Sequence, residues 1–193
     1  MRLRGLYAIT PDGPAIEEKV QQALEGGIAL LQYRRKRQPG TGEARALLAL
    51  CRRHGVPFIV NDDVELALAI DADGVHLGRE DGDLPAARAK MGNRLLGASC
   101  YDRPELARAA IAAGADYIAF GSVFSSPTKP AAVRAPLSLF GDFQVPRCAI
   151  GGITLQNAPQ VIAAGADMLA VISDLFDAPD IARQAAAYRK LFP

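Results

Sequence analysis

The chain has little to offer several common chemistries. Its 193 residues contain two histidines, His54 and His76, and three cysteines, Cys51, Cys100 and Cys148. The cysteines are far apart, odd in number and form no C-x-x-C pair, which argues against a disulfide framework and fits a reducing cytoplasm. No cysteine–histidine cluster has zinc spacing, and no Ser–His–Asp or Cys–His arrangement offers an activated nucleophile. Charge nearly cancels: 22 basic against 21 acidic side chains leave a formal net charge of +1. No bulk field therefore draws the chain to nucleic acid or to an acidic membrane, and any anion site must come from local placement of basic groups. The apolar runs are too short and interrupted to span a bilayer. Met1-Arg2-Leu3-Arg4 runs straight into a strand-like segment, so no signal peptide is expected. No long low-complexity stretch is present, and no first-strand G-x-G-x-x-G turn marks a dinucleotide-binding sheet.

What is present is alternation. Half of the residues are hydrophobic and 22% are charged, enough to bury a full core in one domain over residues 1–193. Eight short apolar runs recur: Gly5–Ile9, Ala29–Tyr33, Pro57–Asn61, Gly74–Leu77, Leu95–Ser99, Tyr117–Phe120, Arg147–Ile150 and Met168–Ile172. Most are apolar on both faces, as parallel strands covered by helices must be. Amphipathic stretches of helical length separate them, at Ala15–Glu25, Glu43–His54, Arg103–Ala113, Asn157–Ala164 and Pro179–Leu191. Between Lys129 and Arg147 there is room only for a short helix near Leu137–Phe140. A weak repeat, clearest in Gly114-Ala115-Asp116 and Gly165-Ala166-Asp167, places a Gly or Asp turn between a helix end and the next strand. These turns read as stability. Eight βα units in under 200 residues predict an α/β fold, a single-domain (β/α)8 or TIM barrel.

That fold puts its chemistry at the C-terminal ends of the strands. The second run ends in Gln32-Tyr33-Arg34-Arg35-Lys36, where alternation sets Gln32, Arg34 and Lys36 on one side, an anion cradle or a solvated basic loop. The third ends in Asn61-Asp62-Asp63 and the fourth in Gly78-Arg79-Glu80-Asp81. Carboxylates on neighbouring strand ends can share a Mg²⁺ with substrate phosphates. Helix capping competes for them: Asp63 is the expected cap and Asp62 the expected ligand, with Asp83 available as a cap in place of Asp81. Asp102 is expected to cap the helix after the fifth run, freeing Ser99. The sixth is followed by a loop of hydroxyls, glycine and lysine from Gly121 to Lys129. Gly151-Gly152 follows the seventh and Ser173 the eighth, where barrels often bind phosphate. His76 reads as a satisfied core histidine, and His54 suits a helix C-terminus.

Taken in order, these fragments resemble the thiamin-phosphate synthase family. The resemblance rests on Leu6-Tyr7-Ala8-Ile9-Thr10, Gln32-Tyr33-Arg34-Arg35-Lys36, Asn61-Asp62, Ala72 to Asp81, Gly97-Ala98-Ser99, Ser126-Pro127-Thr128-Lys129, Ala149 to Ile153 and Val171-Ile172-Ser173. It implies a transferase that joins hydroxymethylpyrimidine diphosphate to a thiazole phosphate, or its carboxylate, by a dissociative, Mg²⁺-assisted alkyl transfer. It further implies Gln32, Arg34, Lys36, Asn61, Ser99 and Lys129 for the pyrimidine diphosphate, and Asp62 and Asp81 for Mg²⁺. Ser126, Thr128, Gly152, Ile172 and Ser173 are implied for the thiazole phosphate. Arg34, Lys36, Lys129 and Ser99 would carry the catalysis. Pro11 stands where many members have aspartate, Ser126 where threonine is commoner, and the segment between the sixth and seventh runs is short for the family. The alternatives are a thiazole tautomerase of the same barrel family, a sugar-phosphate isomerase and a non-catalytic thiamin-phosphate-binding module. The partners expected are small molecules, with no nucleic acid and no membrane; homo-oligomer formation stays open.

Overall fold

The computed structural model describes residues 3–35, 40–125, 133–141 and 143–192. Eight strands form a closed barrel in chain order: β1 Gly5–Ile9, β2 Leu30–Tyr33, β3 Phe58–Asn61, β4 Gly74–Leu77, β5 Leu95–Tyr101, β6 Tyr117–Gly121, β7 Arg147–Ile150 and β8 Met168–Val171. Every neighbouring pair is parallel, and β8 closes on β1 with Gly5 opposite Met168. The helices are α1 Ile16–Gly26, α2 Thr41–His54, α3 Val64–Ala69, α4 Leu84–Met91, α5 Pro104–Ala112, α6 Ala158–Ala163, α7 Ser173–Phe176 and α8 Ile181–Arg189. A 3₁₀ turn, Leu137–Phe140, stands between β6 and β7. The barrel and the short unit before β7 are as the sequence predicts. Among the described residues no helix is long and apolar enough to cross a membrane.

Strand alternation sorts the apolar side chains into two cores. Leu6, Ala8, Leu31, Tyr33, Phe58, Val60, Val75, Leu77 and their counterparts face the helices. Tyr7, Ile9, Leu30, Ile59, Tyr117, Ala119, Cys148, Met168 and Ala170 fill the barrel. The helices supply the matching stripe: α2, for example, buries Ala44, Leu47, Leu48 and Cys51 against the strands. All three cysteines are free and buried.

The repeated aspartates hold the bottom of the barrel. Asp73, Asp116 and Asp167 accept the backbone N–H of Phe58, Leu96 and Arg147 at 2.8, 2.7 and 3.0 Å. Each thus ties its own strand to the one before it. Gly114 and Gly165, at φ 88° and 107°, make the tight turns that lead into those strands. These groups are committed to structure, as the repeat implies.

One cap differs from expectation. Asp102 does not cap α5: the cap position falls on Arg103, whose side chain makes no capping bond, and Pro104 occupies the first turn. Asp102 stands one position too early, and a first-turn proline already removes one of the orphan N–H donors.

Candidate active site at the strand ends

The carboxylates divide as the capping argument requires. Asp63 Oδ1 accepts the N–H of Leu66 and caps α3, and Asp83 Oδ1 accepts that of Ala86 and caps α4, both at 2.8 Å. Asp62 and Asp81 are left to face each other. Asn61 Nδ2 donates to Asp62, and the Gly78 N–H donates to Asp81 Oδ2 at 3.1 Å. Burial, then the charge and hydrogen bond of Asp81, push the Asp62 carboxyl up to about 6, against the lowering pull of Asn61 and Gly78. A carboxylate whose charge is disfavoured by burial and a neighbouring carboxylate suits a cation placed between the two. Asp62 also holds a left-handed φ of 65°, a conformation an aspartate adopts more readily than most residues but that still marks local constraint.

No cluster of three or more His, Cys, Asp or Glu side chains suited to a metal occurs among the described residues. Magnesium does not need one, because phosphate oxygens and water complete its six positions around one or two carboxylates. Asp62 and Asp81 could hold such an ion only with ligands from outside the protein, since two carboxylates are not a full protein cage.

The end of β2 is set by Thr10. Its Oγ1 accepts the Arg34 N–H at 2.9 Å and donates to the Arg34 carbonyl at 3.1 Å, clamping the backbone of that residue to β1. Arg35 turns away to a paired contact with Glu43, holding that carboxyl below its usual range. The Arg34 guanidinium makes no ion pair among the described residues. Of two adjacent arginines, the one on the Gln32 side is thus the one available to an anion. Lys36 lies outside the described residues.

Gln32 points into the barrel and is 2% exposed. Its Nε2 donates to Tyr7 Oη at 2.8 Å. Tyr7 Oη meets Tyr117 Oη at 2.8 Å, Tyr117 Oη meets His76 Nδ1 at 3.1 Å, and His76 Nε2 meets Ser99 Oγ at 2.9 Å. Burial raises both phenol pKa values and lowers His76 to about 4, so all three groups are neutral near pH 7. His76 is a satisfied interior histidine, as expected, but its partner is Ser99. Ser99 lies inside β5, ahead of the cap position at Arg103, so it is free of capping without any help from Asp102. The sequence reading missed Tyr7 and Tyr117, although strand alternation alone sets both on the inner face.

On the other side of the mouth, Gly151 and Gly152 follow β7 with φ of 101° and 64°. A Cβ on Gly152 would stand 2.4 Å from the Ser125 carbonyl oxygen and 2.8 Å from Phe124 Cβ. Gly152 is therefore needed to seat the loop after β6, whether or not it also leaves room for a phosphate. Ile172 follows β8 with its side chain against the inner core, and Ser173 opens α7. Ser126, Thr128 and Lys129 lie outside the described residues.

Comparison with known proteins gives the family. A family model described as thiamine monophosphate synthase matches residues 6–175. The chain is 62% identical to the thiamine-phosphate synthase of Aromatoleum aromaticum, over 99% of this chain and 97% of that protein. Its identity to the thiamine-phosphate synthase of Thioalkalivibrio sulfidiphilus is 53%, over 99% and 96%. The solved structure of thiamine phosphate pyrophosphorylase from Pyrococcus furiosus superposes with a TM-score of 0.88 at 37% identity, covering 98% of this chain and 96% of that one. The chain belongs to the thiamine monophosphate synthase family.

Proposed function

We propose that this transferase joins hydroxymethylpyrimidine diphosphate to a thiazole phosphate at the barrel mouth, giving thiamin phosphate and pyrophosphate. The observation that carries the reading is the uncapped Asp62–Asp81 pair at adjacent strand ends, beside Asn61 and on the same rim as Gln32 and Ser99. Asp62 and Asp81 would hold Mg²⁺, which when bound offsets the negative charge of the diphosphate. Gln32, Asn61 and Ser99 would bind the pyrimidine diphosphate. Arg34, Lys36 and Lys129 would stabilise the charge that grows on the departing pyrophosphate. Gly152, Ile172 and Ser173, with Ser126 and Thr128, would hold the thiazole phosphate.

The step is dissociative. The bond between the pyrimidine methylene carbon and the diphosphate oxygen breaks, and its electron pair leaves on pyrophosphate. The electron-rich aminopyrimidine stabilises the resulting cation. The thiazole nitrogen then gives its lone pair to that carbon; where the thiazole carries a carboxylate, carbon dioxide leaves and the carbon that held it takes a proton from solvent. No protein nucleophile takes part, so the chain's work is positioning and charge stabilisation. The buried, high-pKa thiols of Cys51, Cys100 and Cys148 accord with this. The test is an assay of purified protein with both substrates and Mg²⁺. Thiamin phosphate and pyrophosphate are expected in equal amounts. A folded protein that yields neither overturns the reading.

A further inference from the structure

Gln32 and Ser99 are joined through the barrel interior, and the join has a direction. Gln32 Nε2 donates to Tyr7 Oη. A phenol has one hydrogen to give, so that of Tyr7 goes to its other partner, Tyr117 Oη. The hydrogen of Tyr117 goes in turn to His76 Nδ1. A neutral imidazole that accepts at Nδ1 carries its proton on Nε2, and Nε2 donates to Ser99 Oγ. Ser99 is left with its own hydroxyl hydrogen to donate to a ligand, and Gln32 with a carbonyl Oε1 that no described residue donates to. Reversing either end reverses every link.

The space for this chain is built in. A Cβ on Gly97, in mid-β5, would stand 2.1 Å from Tyr117 Cζ and 2.5 Å from His76 Nδ1. A glycine inside a buried strand usually marks such a close approach. The rings pack as well as bond: Tyr117 lies edge-on to Tyr7, with centroids 5.9 Å apart, and stacks on His76 at 5.5 Å. Every link from Gln32 Nε2 to Ser99 Oγ is made, so the chain is complete, with Gln32 Oε1 as its open end.

We propose that Tyr7, Tyr117 and His76 are positioning residues that fix the donor order between Gln32 and Ser99, so that the mouth offers one acceptor and one donor to the amino-bearing edge of the pyrimidine. An aminopyrimidine presents the complement: an amino group that donates beside a ring nitrogen that accepts. A ring with an oxo group in place of the amine presents the reverse. This rests on the reading that Gln32 and Ser99 bind the pyrimidine diphosphate.

The test compares the full-length wild-type protein with Tyr117→Phe and Tyr7→Phe, each of which keeps the ring and removes one link. Turnover is measured with thiazole phosphate, Mg²⁺ and either the 4-amino pyrimidine diphosphate or its 4-oxo counterpart. In each variant kcat/KM for the amino substrate should fall about tenfold, the size of one misdirected hydrogen bond. The preference for amino over oxo should shrink by a similar factor, and the KM for thiazole phosphate should stay within about twofold of wild type. Equal losses on both pyrimidines, or an unchanged preference in a folded variant, would overturn the proposal. If one variant does not fold, the other carries the test, since the two break different links. Wild-type protein inactive on both substrates would instead remove the functional reading on which the proposal stands.

Discussion

The inside of the barrel has two unlike sectors. From β1 to β6 the inner face sets Tyr7, Gln32, Asn61, His76, Ser99 and Tyr117 among the apolar Ile9, Leu30, Ile59 and Ala119. From β7 to β8 it carries Cys148, Ile150, Met168, Ala170 and Ile172. In the first sector Gln32, Tyr7, Tyr117, His76 and Ser99 are hydrogen-bonded in one line across the barrel, and Asn61 bonds to Asp62. In the second the only side-chain hydrogen bond among the described residues is the weak one from the Cys148 thiol to the Ala149 carbonyl, at 3.7 Å. The difference sets what each sector can offer a ligand. Polar groups in a low dielectric are tolerated when each donor meets an acceptor, and such a set resists reorientation. The polar sector can read the edge of a ring. Under the proposed function, the apolar sector would leave recognition on its side to backbone and loop ends, at Gly151, Gly152 and Ser173.

The comparison breaks most sharply at Asp62, beside the polar sector. Asp62→Asn should cut turnover by about 100-fold or more, the usual scale for removing one group that stabilises transition-state charge. Its melting temperature should not fall, because the substitution relieves repulsion with Asp81 and touches no cap. Loss of fold would make Asp62 a structural residue. Next in size is a matched pair of core changes. Gly97→Ala forces a methyl into the Tyr117–His76 contact and should cost about 1–3 kcal/mol of stability, with loss of amino-over-oxo preference. Met168→Leu, in the apolar sector, should cost under about 1.5 kcal/mol and leave that preference as it is. Chemical denaturation and the two-substrate assay measure both. Equal effects on preference would erase the distinction between sectors.

A smaller effect is expected with pH. The folded-state pKa of Asp62, about 6, lies above its ordinary value of 3.8. Its contribution to stability is therefore fully present below the ordinary value and is lost as pH rises through about 6, where the folded protein must carry the second charge. A cation bound there offsets that loss. Thermal unfolding should thus show stabilisation by Mg²⁺ that grows as pH rises through about 6 and is small near pH 4. A shift independent of pH would take the ion away from this pair.

The barrel is legible because parallel strands covered by helices must be apolar on both faces, so each appears as an unbroken run such as Met168–Val171. The caps at Asp63 and Asp83 are legible from their place before helical segments. The failure at Asp102 has the same source, since a one-residue offset is invisible without the backbone. The polar chain is not legible. Tyr7 and Tyr117 are 110 residues apart and meet only because closure sets β6 across the barrel from β1. In the sequence His76 sits in an apolar strand and reads as packing. Gly97, a glycine within an apolar run, was the one local sign that something comes close there.

The central claim is that the polar sector and its carboxylate pair together form a metal-dependent diphosphate site. Calorimetric titration of pyrimidine diphosphate into the wild-type protein, with and without Mg²⁺, tests it most directly. Affinity should be at least about tenfold higher with Mg²⁺, and Asp62→Asn should abolish that gain while thiazole-phosphate affinity is unchanged. Equal affinity for pyrimidine diphosphate in the presence and absence of the ion would contradict the account.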